Sequence, residues 1–312
     1  MAKILITGGS GFLGKKLAMK LKKENEVLLG SRNNGLNQIA FEETGCRTIP
    51  LDVSNIESLK DACSAFEPEI IIHAAATKYV DVSEVQPLEC IDVNIIGSQN
   101  VARVAIDRQV KTVIGISTDK ASPPISSIYG MSKGIMERMF CSLDYSHETN
   151  FSCVRFGNVA WSTGSVFPIW KRMMENNGHI KSTGSNMKRF IFSVDDAADL
   201  VIRNINNIGL TKGKILSQKM KASKMINFLE YWKDLHGTEW TPIDQRIGES
   251  QNEIMIGESE LKNTKEIIID SKEHFLTSFR ESFEDHLLES FNTENAEEHT
   301  KSEIGELIKL GI

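Results

Sequence analysis

Short apolar runs alternate with helical patterns over residues 1–160, and this alternation limits the fold more than any other feature of the sequence. The runs are rich in β-branched residues and end at polar or glycine residues, which is typical of buried strands. The predicted strands are 3–7, 26–31, 46–53, 69–76, 110–117 and 151–159. Strands and helices that alternate with short links are typical of a parallel sheet covered on both faces. We therefore predict an α/β fold with a Rossmann-type doubly wound parallel sheet, which binds ligands at the carboxyl ends of its strands.

The alternation breaks after residue 160, so we predict two regions, 1–160 and 161–312. In the first, helices are predicted at 12–24, 55–66, 87–108 and 129–145, and Ser54 is the expected N-cap of the second of these. In the second, we predict a strand at 188–193 and helices near 168–176, 194–207, 222–236 and 301–310. This region should form a smaller C-terminal cap, with interleaved returns to the sheet and a helical tail.

Composition and charge exclude several classes of protein. The 36 Lys and Arg residues are outnumbered by 42 Asp and Glu, and the net charge is −6, so no basic excess indicates nucleic acid. The five cysteines lie far apart without a C-x-x-C pair, which favours reduced thiols and no metal site. No signal-peptide pattern and no apolar run of the ~20 residues that span a bilayer is present, so we expect a cytoplasmic protein with no membrane partner.

A glycine-rich loop, "TGGSGFLG" at 7–14, joins the first predicted strand to the first helix. Glycines at this spacing permit a tight turn and let backbone amides approach a pyrophosphate, while the helix N-terminus favours negative charge. We therefore predict a dinucleotide cofactor on region 1–160, with region 161–312 binding the substrate. The predicted cofactor contacts in the loop are Gly8, Ser10, Gly11, Phe12, Leu13 and Gly14.

The end of the second strand indicates which dinucleotide binds. An NAD site usually has an acidic residue there, to bind the ribose hydroxyls, but this chain has Ser31 and Arg32. The Arg32 guanidinium suits a 2′-phosphate, so NADP is predicted and NAD is the alternative. Asp52 and Val53 end the third strand and should flank the adenine, a role compatible with capping the next helix. After the fourth strand, we add Ala74 and Ala75 to the cofactor contacts.

Reactive side chains cluster in "STDKASPPISSIYGMSK" at 117–133. Tyr129 and Lys133 lie one helical turn apart and share a face. The ammonium, together with a cofactor's positive charge, would stabilise the phenolate and lower the pKa of Tyr129 from its usual ~10. Such a tyrosine can work as an acid or base near neutral pH, in contact with both cofactor and substrate.

A family resemblance extends over nearly the whole chain. The segments that carry it are "ITGGSGFLG" (6–14), "SR" (31–32), "HAAATKYV" (73–80), "NIIGSQNV" (94–101), "STDKA" (117–121), "YGMSK" (129–133), "VRFGNV" (154–159), "GSVFP" (164–168), "NMKRF" (186–190), "RIGE" (246–249) and "SFNTEN" (290–295). The chain resembles the extended short-chain dehydrogenases/reductases. Within them it is similar to the inverting UDP-N-acetylglucosamine 4,6-dehydratases of bacterial polysaccharide biosynthesis.

The resemblance implies a reaction and the residues that perform it. A hydride would leave sugar carbon 4 for NADP, the acidified carbon 5 proton and the carbon 6 hydroxyl would be lost as water, and the hydride would return to carbon 6. Lys120 would be the base at carbon 5, and Asp119 the acid at the carbon 6 oxygen. Thr118 would bond the substrate near carbon 4, while Tyr129 and Lys133 assist the oxidation. As a base Lys120 must be neutral, so its pKa is expected to fall.

The same resemblance implies the partners of the protein. A UDP-sugar would be bound by Lys78 and, at its phosphates, by Asn158, Arg189 and Arg246. His73 is expected to be packed and hydrogen-bonded. A homo-oligomer is expected, because the two long helices near 87–108 and 129–145 pair across a two-fold axis in similar proteins.

Two departures from the family pattern keep other functions open. Lys120 and Tyr129 are nine positions apart, where eight are expected. The segment after "RIGE" reads "SQNEIM" (250–255), where relatives carry a lysine directly after the Glu. The enzyme alternatives are a 5,6-dehydratase that releases the unsaturated sugar, a carbon 4 oxidase or an epimerase. The alternative outside enzymes is an NADP-binding sensor or scaffold.

Overall fold

The computed structural model describes residues 1–244 and 249–311, and strands and helices alternate through the first half of the chain. The strands are β1 (Lys3–Thr7), β2 (Glu26–Ser31), β3 (Arg47–Pro50), β4 (Ile70–His73), β5 (Thr112–Ile116), β6 (Asn150–Arg155), β7 (Asn158–Val159), β8 (His179–Thr183), β9 (Lys188–Phe192), β10 (Lys214–Gln218), β11 (Ala222–Lys224), β12 (Glu239–Ile243), β13 (Ile254–Ile256), β14 (Thr264–Ile269), β15 (Lys272–Ser278) and β16 (Phe291–Asn292). The helices are α1 (Phe12–Leu21), α2 (Asn34–Thr44), α3 (Ile56–Phe66), α4 (Val80–Val85), α5 (Pro87–Cys90), α6 (Gly97–Asp107), α7 (Ile128–Leu143), α8 (Val166–Asn177), α9 (Val194–Asn206), α10 (Ile208–Thr211), α11 (Met225–His236) and α12 (Lys301–Lys309).

A nine-stranded sheet with the order β14-β15-β10-β6-β5-β4-β1-β2-β3 forms the centre of the protein. The strands from β3 to β10 in this order are parallel, and β15 and β14 are antiparallel additions at one edge. One hydrophobic cluster packs on each face of the sheet. The chain crosses over between neighbouring strands β1 and β4, and in such sheets ligands bind above that point. The α/β prediction of a doubly wound, Rossmann-type sheet is therefore confirmed.

The second half of the chain contributes to this sheet as well as to a cap. Strands β10, β14 and β15 all come from beyond residue 160 and lie in the same sheet as β1–β6. The cap contains the small sheets β11-β9-β7 and β12-β8, and its aromatic core joins α8 to α11 through Phe167, Trp170, Phe228 and Trp232. The division at residue 160 stays a prediction, and the returns to the sheet account for much of the second region.

Two local features differ from the sequence prediction. Ser54 does not cap α3; Asn55 does, because its side chain accepts the Glu57 amide, while the Ser54 hydroxyl donates to Asp52 at 2.7 Å. The predicted helix at 87–108 is divided by a π-helical segment, Ile91–Ile96. Such segments often occur at functional sites.

A buried ionic cluster joins β6, α7 and the 3-10 turn Glu258–Asn263. The Arg155 guanidinium on β6 donates to both oxygens of Glu137 on α7, at 2.9 and 2.7 Å, and to both oxygens of Glu260, at 2.9 and 2.8 Å. It also donates to the Met255 carbonyl at 3.0 Å. All three charged side chains are almost fully buried. The cluster therefore fixes residues 255–260 against the sheet.

Among the residues described, no helix combines the length and hydrophobicity needed to cross a membrane. The same residues contain no group of histidine, cysteine and acidic side chains that could hold a metal ion.

Candidate active site

A cavity of about 670 Å³ opens at the carboxyl ends of the central strands, between the sheet and the cap. Eighteen of the predicted site residues line it: Gly8, Ser10, Gly11, Phe12, Leu13, Gly14, Ser31, Arg32, Val53, Ala74, Ala75, Lys78, Thr118, Lys120, Tyr129, Lys133, Asn158 and Arg189. Asp119 is buried next to Thr118 and Lys120. Arg246 lies outside the described residues. The structure therefore brings the predicted cofactor and substrate groups to one cavity.

The glycine loop forms a cradle that side chains would fill. Gly8 has φ +68°, and a Cβ on it would lie 2.7 Å from the Ala75 amide nitrogen. A Cβ on Gly14 would lie 2.5 Å from the Gly9 carbonyl oxygen. Helix α1 begins directly after Gly11, which makes no side-chain cap, so its first amides are free to bind an anion. The cradle fits the pyrophosphate of a dinucleotide.

The end of β2 presents hydroxyl and guanidinium groups to the cavity. The Ser31 hydroxyl is hydrogen-bonded to the Ser10 hydroxyl and donates to Asn37 Oδ1 at 2.7 Å. Arg32 forms an ion pair with Glu89 of α5 at 3.2 Å, and the two side chains are 53% and 45% exposed. An ion pair this exposed contributes little free energy. Arg32 is therefore available to another anion at the cavity edge.

Of the two residues after β3 that were predicted to flank the adenine, Val53 and Asp52, only Val53 lines the cavity. Val53 is buried and lines the cavity. The Asp52 carboxylate instead accepts the amide and hydroxyl of Ser54, at 3.0 and 2.7 Å. Asp52 therefore stabilises the turn that precedes α3. Of its two predicted roles, these contacts correspond to capping the next helix.

The loop after β4 is held from beneath by buried polar side chains. His73 is fully buried, with its ring nitrogens 2.8 Å from Thr7 Oγ1 and 3.0 Å from Ser98 Oγ. Burial and the nearby Lys133 charge lower the pKa of His73 to about 3, so it is neutral, packed and hydrogen-bonded as expected. Asn94, in the π-helical segment, accepts the Thr77 amide at 2.8 Å and donates to the Thr77 carbonyl at 3.0 Å.

These contacts position Lys78, the next residue, at the cavity wall. Burial lowers the pKa of Lys78, and its ammonium lies 5.7 Å from the centre of the Tyr79 ring.

The turn after β5 places an acid and an amine side by side. The Thr118 hydroxyl donates to Asp119 Oδ1 at 2.9 Å, and Lys120 Nζ donates to the same oxygen at 3.1 Å. The second oxygen, Asp119 Oδ2, is buried without a hydrogen-bond partner. A buried carboxylate oxygen is rarely left unpaired, so it marks a position for a ligand donor or for a proton.

Lys120 does not have the lowered pKa that was expected. Burial disfavours its charge, but attraction to Asp119 and to Glu253 outweighs burial and raises the pKa. Lys120 Nζ lies 3.2 Å from Glu253 Oε1. The prediction was wrong on this point because it placed no second carboxylate beside the amine.

Tyr129 and Lys133 lie at the start of α7, one turn apart, and both are buried. The Lys133 ammonium donates to the Ile116 carbonyl at 2.8 Å, and burial lowers its pKa to about 8. Burial raises the pKa of Tyr129 to about 12, although the charge of Lys120 opposes this. The protein's own groups thus do not produce the predicted lowering, because desolvation of the phenolate is the larger effect.

The cap side of the cavity has free acceptors and an occupied arginine. Asn158 Oδ1 on β7 and Ser165 Oγ at the start of α8 are buried, line the cavity and have no hydrogen-bond partner. Arg189 on β9 donates to the carbonyls of Lys188 and Ser250, both at 2.8 Å. Its guanidinium therefore already holds the segment that carries Glu253.

Glu253 is a candidate site residue that the sequence prediction missed. Its side chain is 6% exposed and lines the cavity, between Lys120 and Arg189. A signal was present, since Glu253 lies in "SQNEIM", one of the segments that depart from the family pattern.

Known proteins are similar to this chain over most of its length. The family model described as "Polysaccharide biosynthesis protein" matches residues 4–272. A Methanocaldococcus jannaschii protein named as an uncharacterized membrane protein is 34% identical over 282 residues, 85% of this chain and 83% of that protein. A UDP-N-acetylglucosamine 4,6-dehydratase (inverting) of Campylobacter jejuni is 33% identical over 274 residues, 84% of this chain and 80% of that protein.

Among solved structures, the X-ray structure of Pen from Bacillus thuringiensis has a TM-score of 0.89 at 27% identity, covering 99% of this chain and 97% of that chain. Sheet, glycine cradle and family match agree: the chain belongs to the polysaccharide biosynthesis protein family of extended short-chain dehydrogenases/reductases.

Proposed function

We propose that the protein is an NADP-dependent UDP-N-acetylglucosamine 4,6-dehydratase that inverts carbon 5. The observation that carries the proposal is the pair formed by Lys120 and Asp119: Nζ lies 3.1 Å from Oδ1, Lys120 lines the cavity, and the buried Oδ2 has no hydrogen-bond partner. Elimination of water needs a base beside one carbon and an acid beside the leaving oxygen, and this pair supplies both. The C. jejuni relative with this printed activity supports the substrate class. The product would be a UDP-4-keto-6-deoxy-N-acetylhexosamine for surface polysaccharide.

The protonation state of the pair is consistent with this chemistry. Asp119 and Lys120 share one hydrogen bond, so moving the proton from Nζ to the carboxylate converts ammonium and carboxylate into amine and carboxylic acid. The N–H bond breaks, an O–H bond forms, and the total charge of the pair is unchanged. The neutral Lys120 then takes the carbon 5 proton, and Asp119 protonates the departing carbon 6 oxygen. Lys120 and Asp119 are then ammonium and carboxylate again. The proton that inverts carbon 5 must reach it from the face opposite Lys120, and the proton that Tyr129 took from the carbon 4 hydroxyl would balance it.

The remaining residues bind the cofactor and the sugar. Bound NADP would accept a hydride from carbon 4 and return it at carbon 6. The Gly8–Gly14 loop would hold its pyrophosphate, and Ser31 and Arg32 its 2′-phosphate, with Val53, Ala74 and Ala75 along the rest of the molecule. Tyr129 would take the hydroxyl proton of carbon 4, and Lys133 would hold Tyr129 and the cofactor in place.

The UDP-sugar would lie along the cap side of the cavity. The unpartnered Asn158 Oδ1 would receive a donor from the substrate near its diphosphate, and Lys78 would face the sugar. We propose phosphate contacts for Arg246 and Arg189 as well; for Arg189 they would have to replace bonds that it makes to backbone carbonyls.

The direct test is incubation of the purified protein with UDP-N-acetylglucosamine. The expected product has lost one water by mass spectrometry, and its NMR spectrum shows a carbon 4 ketone, a methyl group at carbon 6 and inverted carbon 5. A protein that keeps its cofactor bound but yields no product would contradict the proposal.

Other outcomes of the same assay would identify the alternatives. Lys120 and Tyr129 are nine positions apart instead of the expected eight, and the intervening residues form the loop before α7. A tyrosine displaced relative to Lys120 would favour these alternatives. Water loss without a ketone would identify a 5,6-dehydratase. Oxidation or epimerisation without water loss would identify a carbon 4 oxidase or an epimerase. Cofactor and sugar binding without turnover would indicate a sensor or scaffold.

Cofactor choice gives a prediction for Arg32. Replacing Arg32 with alanine should raise the Km for NADP about tenfold or more and leave the Km for NAD nearly unchanged, because a charge-assisted phosphate contact is lost. Glu89→Gln, which removes the partner of Arg32, should leave NADP binding equal or tighter. Steady-state titration with the two cofactors measures both effects, and an equal response of NADP and NAD to Arg32→Ala would contradict the assignment.

We also propose a homo-oligomer. Val85 and Leu88, on α4 and α5, are each 74% exposed, and Met131 and Ile135 of α7 are half exposed. Apolar side chains grouped in this way are typical of protein interfaces. Light scattering of the wild type and of Leu88→Asp measures the effect: the variant should dissociate, and a monomeric wild type would contradict the proposal.

All five cysteines are free and buried, which supports a reducing, cytoplasmic location.

A further inference from the structure

We propose that Glu253 is a positioning residue for Lys120: its carboxylate fixes the Lys120 ammonium beside Asp119 and controls how readily that nitrogen gives up its proton. The role goes beyond the acid and base named above and rests on the proposed function for its catalytic part. It places the control of the reactive lysine in the second half of the chain.

The geometry around Lys120 Nζ leads to this proposal. The nitrogen lies 3.1 Å from Asp119 Oδ1 and 3.2 Å from Glu253 Oε1. Both carboxylate side chains are nearly excluded from solvent, while the lysine side chain is 22% exposed and lines the cavity. Two carboxylates thus hold one ammonium, and a flexible side chain acquires a fixed position.

Glu253 is itself held from several directions. Arg189 Nε lies 3.6 Å from Glu253 Oε1, and the same guanidinium binds the Ser250 carbonyl. The Glu253 amide donates to Thr293 Oγ1 at 3.1 Å. Two residues later, the Met255 carbonyl accepts from Arg155 of the buried ionic cluster. Because these contacts fix the backbone on both sides, the Glu253 carboxylate is preorganised rather than attracted to Lys120 by chance.

The charges alternate along this line of groups. Arg189, Glu253, Lys120 and Asp119 follow one another as cation, anion, cation and anion. Tyr129 of α7 is a further titratable group that faces Lys120. Without the Glu253 charge, only the Asp119 carboxylate stabilises the Lys120 ammonium, and the positive charge of Arg189 opposes it. Lys120 should then lose its proton at lower pH.

The sign of the pH effect follows from the number of protons on the Asp119–Lys120 pair. Burial and Asp119 raise the pKa of Glu253, while Lys120 and Arg189 lower it, so the carboxylate is lost on acidification. The elimination proposed above needs one proton on the pair, so kcat falls at high pH as Lys120 loses that proton to solvent. Without the Glu253 charge, that fall should occur at lower pH, by about one to two units.

The test compares Glu253→Gln, which keeps the shape and removes the charge, with Glu258→Gln. Glu258 is an exposed acid of the same chain segment, so its variant is a matched control. The first readout is the rate of Lys120 acetylation at about pH 8, relative to that of the exposed Lys111 in the same molecule. Since only the neutral amine reacts, Glu253→Gln should raise the relative rate about tenfold or more. The second readout is the pH profile of kcat, whose falling limb should move to lower pH while the plateau falls about tenfold through lost positioning.

Equal acetylation of Lys120 in wild type and Glu253→Gln, with both proteins folded by thermal melting, would overturn the proposal. If Glu253→Gln does not fold, Glu253→Asp provides the test, because its shorter carboxylate should give intermediate acetylation and a lower kcat. Acetylation and kcat at wild-type values in that variant would also overturn it. Acetylation does not require turnover, so it tests the role of Glu253 separately from the proposed function. If Glu253→Gln raises the acetylation rate of Lys120 but the wild type dehydrates no UDP-sugar, the role of Glu253 is supported and the proposed function is refuted.

Discussion

Replacing Lys120 with methionine should lower the rate of water loss from UDP-N-acetylglucosamine by roughly a thousandfold, the loss typical of removing a general base. Methionine keeps the apolar part of the side chain in place, and the glycine cradle lies elsewhere in the cavity, so cofactor binding should survive. Oxidation at carbon 4 does not need Lys120. A single turnover of Lys120→Met should therefore accumulate reduced cofactor, which absorbance measures directly.

The matched control is Lys111→Met, which removes an exposed lysine paired with Glu69 at 2.6 Å and should leave the rate unchanged. Full dehydratase activity in Lys120→Met would refute the assignment of the base. Loss of activity without accumulation of reduced cofactor would show that the substitution acts on an earlier step, and would equally contradict a role confined to elimination.

The largest effect on stability should come from Arg155→Met, which we expect to reduce the free energy of unfolding by about 3–5 kcal/mol. Arg155 is fully buried and donates to both Glu137 and Glu260, so its removal leaves two buried carboxylates without their counter-charge, although Glu260 still accepts from the Ser122 hydroxyl and the Gly257 amide. The cost arises from these uncompensated charges rather than from lost attraction alone. Urea titration followed by tryptophan fluorescence measures the difference.

Two further variants isolate this cause. Adding Glu137→Gln and Glu260→Gln to Arg155→Met should restore much of the lost stability, because no unpaired charge then remains. Arg47→Met removes an exposed arginine 3.7 Å from Glu26 and should change stability by less than about 1 kcal/mol. Equal effects of Arg155→Met and Arg47→Met would contradict the account.

The parts of the fold that depend on local pattern could be predicted from the sequence. Strand β1, the glycine loop and helix α1 follow one another within the first residues, and both hydrophobic period and turn chemistry are visible there. The N-cap of α3 was placed one residue early, because Ser54 and Asn55 are both good caps and only the Asp52 contact distinguishes them.

The electrostatics of the site could not be predicted, because they depend on contacts between distant parts of the chain. The motif places Asp119 beside Lys120, but nothing local places Glu253 there. Likewise, the pattern of Tyr129 and Lys133 predicts their shared face, yet the degree of burial that raises the pKa of the tyrosine depends on the cap and the sheet together. Arg189 was identified correctly as a residue of the cavity, while its bonds to the carbonyls of Lys188 and Ser250 were not foreseen.

The return of the second half of the chain to the sheet also bears on how the protein is made. Chains emerge from the ribosome amino end first, and pairings between distant segments form slowly. When β6 has been synthesised, its edge has no β10, Arg155 has only one of its two carboxylates, and Lys120 has no Glu253. The nascent chain can thus display its glycine loop, "STDKA" and "YGMSK" before Lys120 has its second counter-charge. Lys120 would reach its proposed position only when nearly the whole polypeptide has folded, so we expect incomplete copies to act poorly on nucleotide sugars.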